Sequence, residues 1–258
     1  MHPDILSLHA AIEEHHWWFV ARRQIVGQVL RSVLPAGCGR TVLDLGCGTG
    51  GNLGALSSAY DCTGLELDGE AVRFASSRYP DVSFHEVSIL DFESWPIHEP
   101  VDACLLMDVI EHLDDDRGAV ENAARILKPG GHVLIMVPAD PVLWSRHDEH
   151  HGHRRRYRPA DIRHLLSDLP LSEVLVTGFN ARLYWPIRLW RWLQIRVPML
   201  RARGRTGDLS MPPAIVNRAL TRLLAGESVR VQASLSGSRA PYPRGVSLLA
   251  LLRKPPND

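Results

Sequence analysis

Two stretches of the chain concentrate side chains able to move a proton or hold a cation. Asp108, Glu111 and His112 fall within five positions in "MDVIEHL". Residues 145–159, "SRHDEHHGHRRRYRP", bring together four histidines, Asp148, Glu149, a run of three arginines and Tyr157. Histidine titrates near neutral pH, so His112, His150 and His153 are the candidate general bases or substrate-orienting groups. Asp148, Arg155 and Tyr157 are expected to contact a substrate; Arg155 and Arg156 could equally bridge to carboxylates of the core. Asp108, Glu111 and His112 follow the fourth expected strand, at the edge of the sheet where ligands sit, and a metal site is one reading of them. The alternative is that these three only shape a pocket, and no metal ligand is assigned.

A third stretch, "VLDLGCGTGGNL" (residues 42–53), packs four glycines into six positions between an apolar run and the start of a helix. Such a turn lets backbone N–H groups and a helix N-terminus approach a ligand closely. A phosphate-gripping loop would need Lys and Ser/Thr after its last glycine, whereas Gly50 is followed by Gly51 and Asn52. The turn reads G-x-G-x-G behind an acid, Asp44. That carboxylate would repel a pyrophosphate, but it could order the loop or face a cationic ligand.

The elements that must carry these groups follow from periodicity. Apolar residues recur at helical spacing over Trp17–Val33. Apolar strands are expected at "TVLDLG", "CTGLELD", "VSFHEVSI", "VDACLLMDVIEHL", "HVLIMVP", "LSEVLVTGFN" and "GVSLLALLRK". Between them lie helices over "GGNLGALSSAY", "GEAVRFASSRY", "RGAVENAARILKPGG" and "PADIRHLLSD", with Lys-Pro-Gly-Gly as a helix stop. Strand–helix alternation with continuously apolar strands predicts an α/β fold, a doubly wound, mainly parallel seven-stranded sheet covered on both faces. The organisation expected is a helical lead or lid at 1–40 and a core at 41–180 plus 244–254. A basic, aromatic helical cap at 181–243 is inserted before the last strand. Within the cap, "ARLYWPIRLWRWLQIRVPMLRARGR" carries seven arginines and no acid.

Lysine plus arginine and aspartate plus glutamate balance at 29 each, so the whole molecule is no electrostatic nucleic-acid binder. The four cysteines lack metal-site spacing and read as reduced thiols. A polar N-terminus and the absence of a long apolar run make a cytoplasmic protein the expectation. The Arg/Trp stretch 182–205 admits a lid, a dimer contact or peripheral membrane contact, so the chain is expected to be a monomer or homodimer.

In their order and spacing, "VLDLGCGTG", "GLELD", "DACLLMDVIEHL" and "ILKPGGHVLIMVP" resemble the class I S-adenosylmethionine-dependent methyltransferases, over roughly residues 15–180 and the final strand. The resemblance implies a Rossmann-like sheet with S-adenosylmethionine as cofactor. It places Gly46 and Gly48 near the methionine and ribose moieties beside Asp44, and Glu66, with Leu67, at the ribose hydroxyls. Ser88, Ile89 or Asp91 would lie near the adenine, and the Met107 carbonyl near the ammonium. "HHWWFVARR" resembles the lead segment of a bacterial subgroup related to ubiquinone-pathway O-methyltransferases, in which an arginine pairs with the cofactor carboxylate. Arg22 and Arg23 are the candidates, with Trp17 and Trp18 toward the substrate. An acid, a histidine and Arg-Arg-Tyr recur in that subgroup, matching Asp148, His153, Arg155, Arg156 and Tyr157. D-x-x-E-H is similar to an E-x-x-E-H that binds a divalent metal in small-RNA 2′-O-methyltransferases and in some ubiquinone-pathway members.

The function implied is methyl transfer to a small-molecule acceptor, oxygen before nitrogen or carbon, with S-adenosylhomocysteine as by-product. A nucleic-acid acceptor with a metal-binding D-x-x-E-H is the weaker alternative, and a non-methylating scaffold or cyclase a third.

Overall fold

The computed structural model describes residues 10–37, 39–196 and 211–256. Cys38 and residues 197–210 of the expected cap lie outside the described residues. The elements, in chain order, are α1 (Trp17–Val33), β1 (Thr41–Leu45), α2 (Gly51–Leu56), β2 (Asp61–Glu66), α3 (Gly69–Arg78), β3 (Ser83–Glu86), β4 (Val101–Met107), α4 (Asp116–Ile126) and β5 (Leu127–Pro138). There follow α5 (Arg146–His150), α6 (Pro159–Leu165), β6 (Ser172–Phe179), α7 (Tyr184–Arg196), α8 (Ala214–Ala225), α9 (Ser228–Leu235) and β7 (Ser247–Arg253). Local chemistry sets several starts. The Asp68 carboxylate accepts from Glu70 N at 2.9 Å to begin α3, and Asp115 accepts from Gly118 N at 2.8 Å to begin α4.

The strands form one sheet in the order β3-β2-β1-β4-β5-β7-β6, with β7 antiparallel to both neighbours and the other pairs parallel. Alternate residues serve opposite faces, as the two-residue period requires. Leu43, Leu45, Cys104, Leu106, Val133 and Ile135 pack with α4 and α6, while Val42, Ala103, Leu105, Leu134 and Met136 pack with α1, α2, α8 and α9. Both faces are buried, which is why these strands read as continuous apolar runs. One boundary differs from expectation. α4 ends at Ile126, and Lys-Pro-Gly-Gly already belongs to the extended chain of β5, with Gly130 at φ +79° and a register shift opposite Val101–Ala103. Among the described residues no helix is long and apolar enough to cross a membrane.

The strand order reverses between β1 and β4, and a crevice at the carboxyl ends there is where open α/β sheets bind ligands. Backbone strain collects along the same edge. Asp108, Asp140 and Asn180 have φ of 59°, 54° and 55°, and they follow β4, β5 and β6 respectively. Short polar side chains tolerate that region best, and such residues cluster where a fold presents its ligand groups.

Candidate active site

The glycine turn forms the floor of the crevice. Gly46, Gly48 and Gly50 all have positive φ, and Gly46 N and Cys47 N donate to Leu65 O at 2.8 and 3.1 Å, tying the turn to β2. A Cβ on Gly46 would meet Val109 Cγ2 at 2.7 Å, whereas one on Gly48 would meet nothing within 4 Å. Gly46 therefore serves close packing. Gly48 combines a left-handed backbone with an open face on which a ligand can rest.

Four side chains surround that face. Glu66, at the end of β2, accepts from Gly48 N at 3.0 Å and from Leu67 N and Asp68 N at 2.8 and 3.0 Å. Those N–H groups hold the carboxylate in place, with lone pairs left for hydroxyl donors. Asp44 is fully buried at the end of β1, and among the described residues neither of its oxygens makes a hydrogen bond of ordinary geometry, with the Asn52 side chain nearby. Burial raises its pKa to about 7 against the pull of the Asn52 side chain and then of Arg22, with a smaller push upward from Glu66. Arg22 is itself buried, pairs with Asp108 just beyond β4 and leaves Nε unpartnered. An anionic end of a ligand near Arg22 and a cationic one near Asp44 would satisfy both, so the residues present fit S-adenosylmethionine.

The other expected cofactor residues are distributed unevenly. Met107 ends β4 beside the turn, and Leu67 is exposed just past β2. The loop Ser88–Asp91 is pinned by Asn122 of α4, whose Nδ2 donates to Ile89 O and Leu90 O at 3.0 and 3.2 Å. Arg23 corrects the expectation for the pair. Its guanidinium donates to Glu13 O at 2.6 Å on the side of Arg78 and Tyr79, so Arg22 alone of the two meets Asp108. Trp18 stacks edge-on against Phe179 with ring centroids 5.5 Å apart, and Trp17 packs edge-on against Trp18. Both are thereby part of the packing between α1 and β6.

A second cluster lies beyond β4 and β5. The His112 and His153 rings stand 4.9 Å apart, centroid to centroid, nearly perpendicular. Asp148 is fully buried and its two oxygens accept from four donors: Ser145 N and Oγ, His153 Nδ1 at 3.0 Å and Arg156 Nε at 2.7 Å. Burial alone would raise the Asp148 pKa, but His153 and Arg156 hold it well below the carboxylate range. With its Nδ1 toward a carboxylate, His153 is fixed in the tautomer that leaves Nε2 free to accept a proton. Burial, then the nearby His153, lowers the pKa of His112 and keeps it a neutral imidazole.

Three residues expected to contact substrate are engaged within the protein. Arg155 Nη1 donates to Asp116 at 2.9 Å and its Nη2 to Leu113 O at 3.0 Å. The buried Tyr157 hydroxyl donates to Asp116 at 2.8 Å, and Asp148 faces inward. Arg154 joins them through Nε to His112 O at 2.7 Å. The Arg-Arg-Arg-Tyr run thus bolts the loop after β5 onto the loop after β4 and so sets His153 against His112. His150 is exposed and stacks only on His151, at 5.7 Å among the described ring contacts, so the structure separates it from the His112–His153 pair.

Sequence reasoning did not single out the state of Glu111. Its side chain is fully buried with both oxygens unpartnered among the described residues, and burial followed by the charge of Asp108 raises its pKa well above the ordinary value. Ligand atoms of Glu111, His112 and His153 lie within 4.8 Å of one another. The signal available beforehand was the Glu-His pair itself. What made it informative is that Arg22 takes Asp108, leaving Glu111 without a partner.

Comparison with known proteins agrees with this geometry. Residues 43–135, from β1 through most of β5, match the family model described as a methyltransferase domain. The ubiquinone biosynthesis O-methyltransferase of Vibrio atlanticus is 26% identical over 161 residues, covering 55% of this chain and 67% of the relative. That of Pectobacterium carotovorum is 29% identical over 161 residues, covering 55% and 66%. The chain thus spans about two thirds of the length of these relatives. The crystal structure of the plantazolicin methyltransferase BamL, with S-adenosylhomocysteine and a triazolic analogue, superposes with a TM-score of 0.57 at 16% identity, covering 91% of this chain and 85% of that one. The glycine turn, the acid closing β2 and these likenesses together support a class I S-adenosylmethionine-dependent methyltransferase, with its methyltransferase domain matched over residues 43–135.

Proposed function

We propose that this protein methylates a hydroxyl oxygen of a small-molecule acceptor, with His153 as the base. The observation that carries the reading is the Asp148–His153–His112 arrangement, placed at the carboxyl end of β4 and β5 beside the glycine turn. The cofactor, when bound, supplies an activated methyl group, and transfer releases S-adenosylhomocysteine. The acceptor oxygen loses its proton to His153 Nε2 as the new C–O bond forms, and Asp148 stabilises the resulting imidazolium. Glu66, Gly48, Arg22 and Asp44 hold and orient the cofactor, so that most of the rate comes from alignment. The relatives' names favour oxygen as the acceptor atom. The decisive assay counts S-adenosylhomocysteine released with phenolic and with amine acceptors. Methylation confined to amines, or persisting in His153→Ala at the wild-type rate, refutes the reading. On the cofactor side, Glu66→Ala is expected to weaken S-adenosylmethionine binding about 10- to 100-fold, as loss of charge-assisted hydrogen bonds does. Calorimetric titration reads this directly.

A second reading rests on the unpartnered Glu111. Together with His112 and His153 it forms a carboxylate–imidazole set suited to a divalent metal, which would orient the acceptor oxygen in place of a free base. Ligand atoms around a bound zinc stand about 3.4 Å apart, so separations of up to 4.8 Å must close by as much as ~1.4 Å. Asp108, held by Arg22, stays outside this set. Titration of tag-free protein with Co2+ is expected to produce visible absorption bands at one equivalent, and Glu111→Gln should abolish them. Identical spectra for wild type and variant would remove the metal from consideration.

A further inference from the structure

Helix α7 is amphipathic in the reverse of the usual sense. Trp185, Leu189 and Trp192, at i, i+4 and i+7, are 59%, 58% and 50% exposed, and Trp190 on the adjoining strip is 46% exposed. Its arginines Arg188 and Arg191 sit on the half-buried side. A helix of a soluble monomer turns its apolar stripe inward, so this face is built to be covered. The apolar surface extends beyond the helix. The turn Pro141–Leu143 contacts α7, and beside it Val142 and Trp144 are exposed. Tyr184 anchors the start of α7 by a hydrogen bond to Asp140, which places the face on the same sheet edge as the glycine turn.

Charge at the rim selects the partner. The segment from Arg182 to Arg196 has four arginines and no acid; Arg182 donates to the carbonyls of Leu223 and Gly226 and Arg188 to the Tyr184 hydroxyl, while Arg196 is exposed, as is Arg244. Arg188 and Arg244 each lie 5.4 Å from the Trp185 ring, and Arg196 lies 5.2 Å from that of Trp192. Indoles flanked by guanidinium groups at the border of an apolar stripe match a membrane interface, where the rings sit at headgroup depth and the cations meet lipid phosphates. At the root of the face a 340 Å³ cavity lined by Tyr184, Trp185, Tyr242 and Arg244 offers room for part of an amphiphile. We infer that α7 and the 141–144 turn dock this protein on an anionic lipid surface, with the site edge facing the bilayer.

The full-length protein is to be mixed with vesicles of phosphatidylcholine alone and with vesicles containing phosphatidylglycerol, at low and high salt. The expected result is sedimentation with the anionic vesicles, weakened several-fold by salt. Quenching of tryptophan emission by lipids brominated near the headgroup should accompany it. Leu189→Ser with Trp192→Ser should lower partitioning about tenfold or more while S-adenosylmethionine affinity, the control for folding, stays unchanged. Absence of binding to either vesicle, or equal binding to both, overturns the inference. So does a stable dimer in solution that dissociates on the same two substitutions, because a second copy would then be what covers the face.

Discussion

Asp148→Ala is expected to lower the free energy of unfolding by about 3–5 kcal/mol, the scale of breaking a buried ion pair by removing one partner. The reason is the number of groups that depend on one carboxylate. Arg156 is buried, and among the described residues its other hydrogen bonds go to the carbonyls of Ala139 and, at 3.5 Å, Val246. Ser145 N, Ser145 Oγ and His153 Nδ1 lose their acceptor at the same time. Turnover should fall further than stability explains, by roughly 10²- to 10⁴-fold at a temperature where the variant is folded, because His153 loses both its orientation and the charge that supports its protonated form. Asp148→Asn separates the two effects. It keeps the shape and some hydrogen bonds but removes the charge. Urea unfolding of wild type and both variants measures the first effect, and single-turnover kinetics the second. A midpoint for Asp148→Ala equal to that of wild type would show that the brace between the β4 and β5 loops is not what holds the site.

Asp44→Asn should do the opposite to stability. The carboxyl of Asp44 has a pKa of about 7 in the folded protein, against about 3.9 in an unfolded chain. The folded state therefore holds a proton that the unfolded state has released between those values. Stability from this group is complete below about pH 4 and is lost as pH rises through about 7. That interval corresponds to about 4 kcal/mol. Without cofactor, the asparagine variant should be the more stable protein at pH 8, and its advantage should shrink steadily toward pH 5. Cofactor binding should show the cost. Wild-type affinity for S-adenosylmethionine should rise between pH 5.5 and 7.5 as Asp44 ionises toward a cationic ligand, while the variant binds about tenfold or more weakly with a flat profile. Thermal melts and calorimetry across that range measure both. A variant advantage that does not change with pH would mean that Asp44 is already charged in the folded protein across the whole range.

Much of the fold was legible because it depends on local periodicity. Leu43, Leu45, Cys104 and Leu106 face one layer of helices while Val42, Ala103 and Leu105 face the other, and a strand buried on both sides must be apolar throughout. The glycine turn and Glu66 were legible because backbone chemistry constrains residue type there. A φ of 53° and an open approach at Gly48 admit little else, and an acid at the end of β2 meets the turn through parallel strand register. The helix does stop ahead of Lys-Pro-Gly-Gly, but at Ile126, because the segment itself joins the bulged start of β5, where Gly130 takes a positive φ.

The second cluster resisted sequence reading for a different reason. Arg154, Arg155, Arg156 and Tyr157 are adjacent in sequence yet reach His112 O, Asp116, Asp148 and Asp116 in turn, across about 40 positions for three of them. Residue type announces that arginine will find an acceptor, but not whether that acceptor is substrate or loop. By itself the sequence determined the doubly wound sheet, its carboxyl edge and the glycine turn with the acid that ends β2, since strand period, glycine conformation and short-range spacing are local properties. Tertiary structure alone decided that His153 meets His112 while His150 faces solvent, that Arg22 rather than Arg23 takes Asp108, that Glu111 is left unpaired, and that α7 turns its tryptophans outward. Each of those outcomes is a competition among distant partners for one hydrogen bond or one buried surface, and only the folded chain settles which partner arrives.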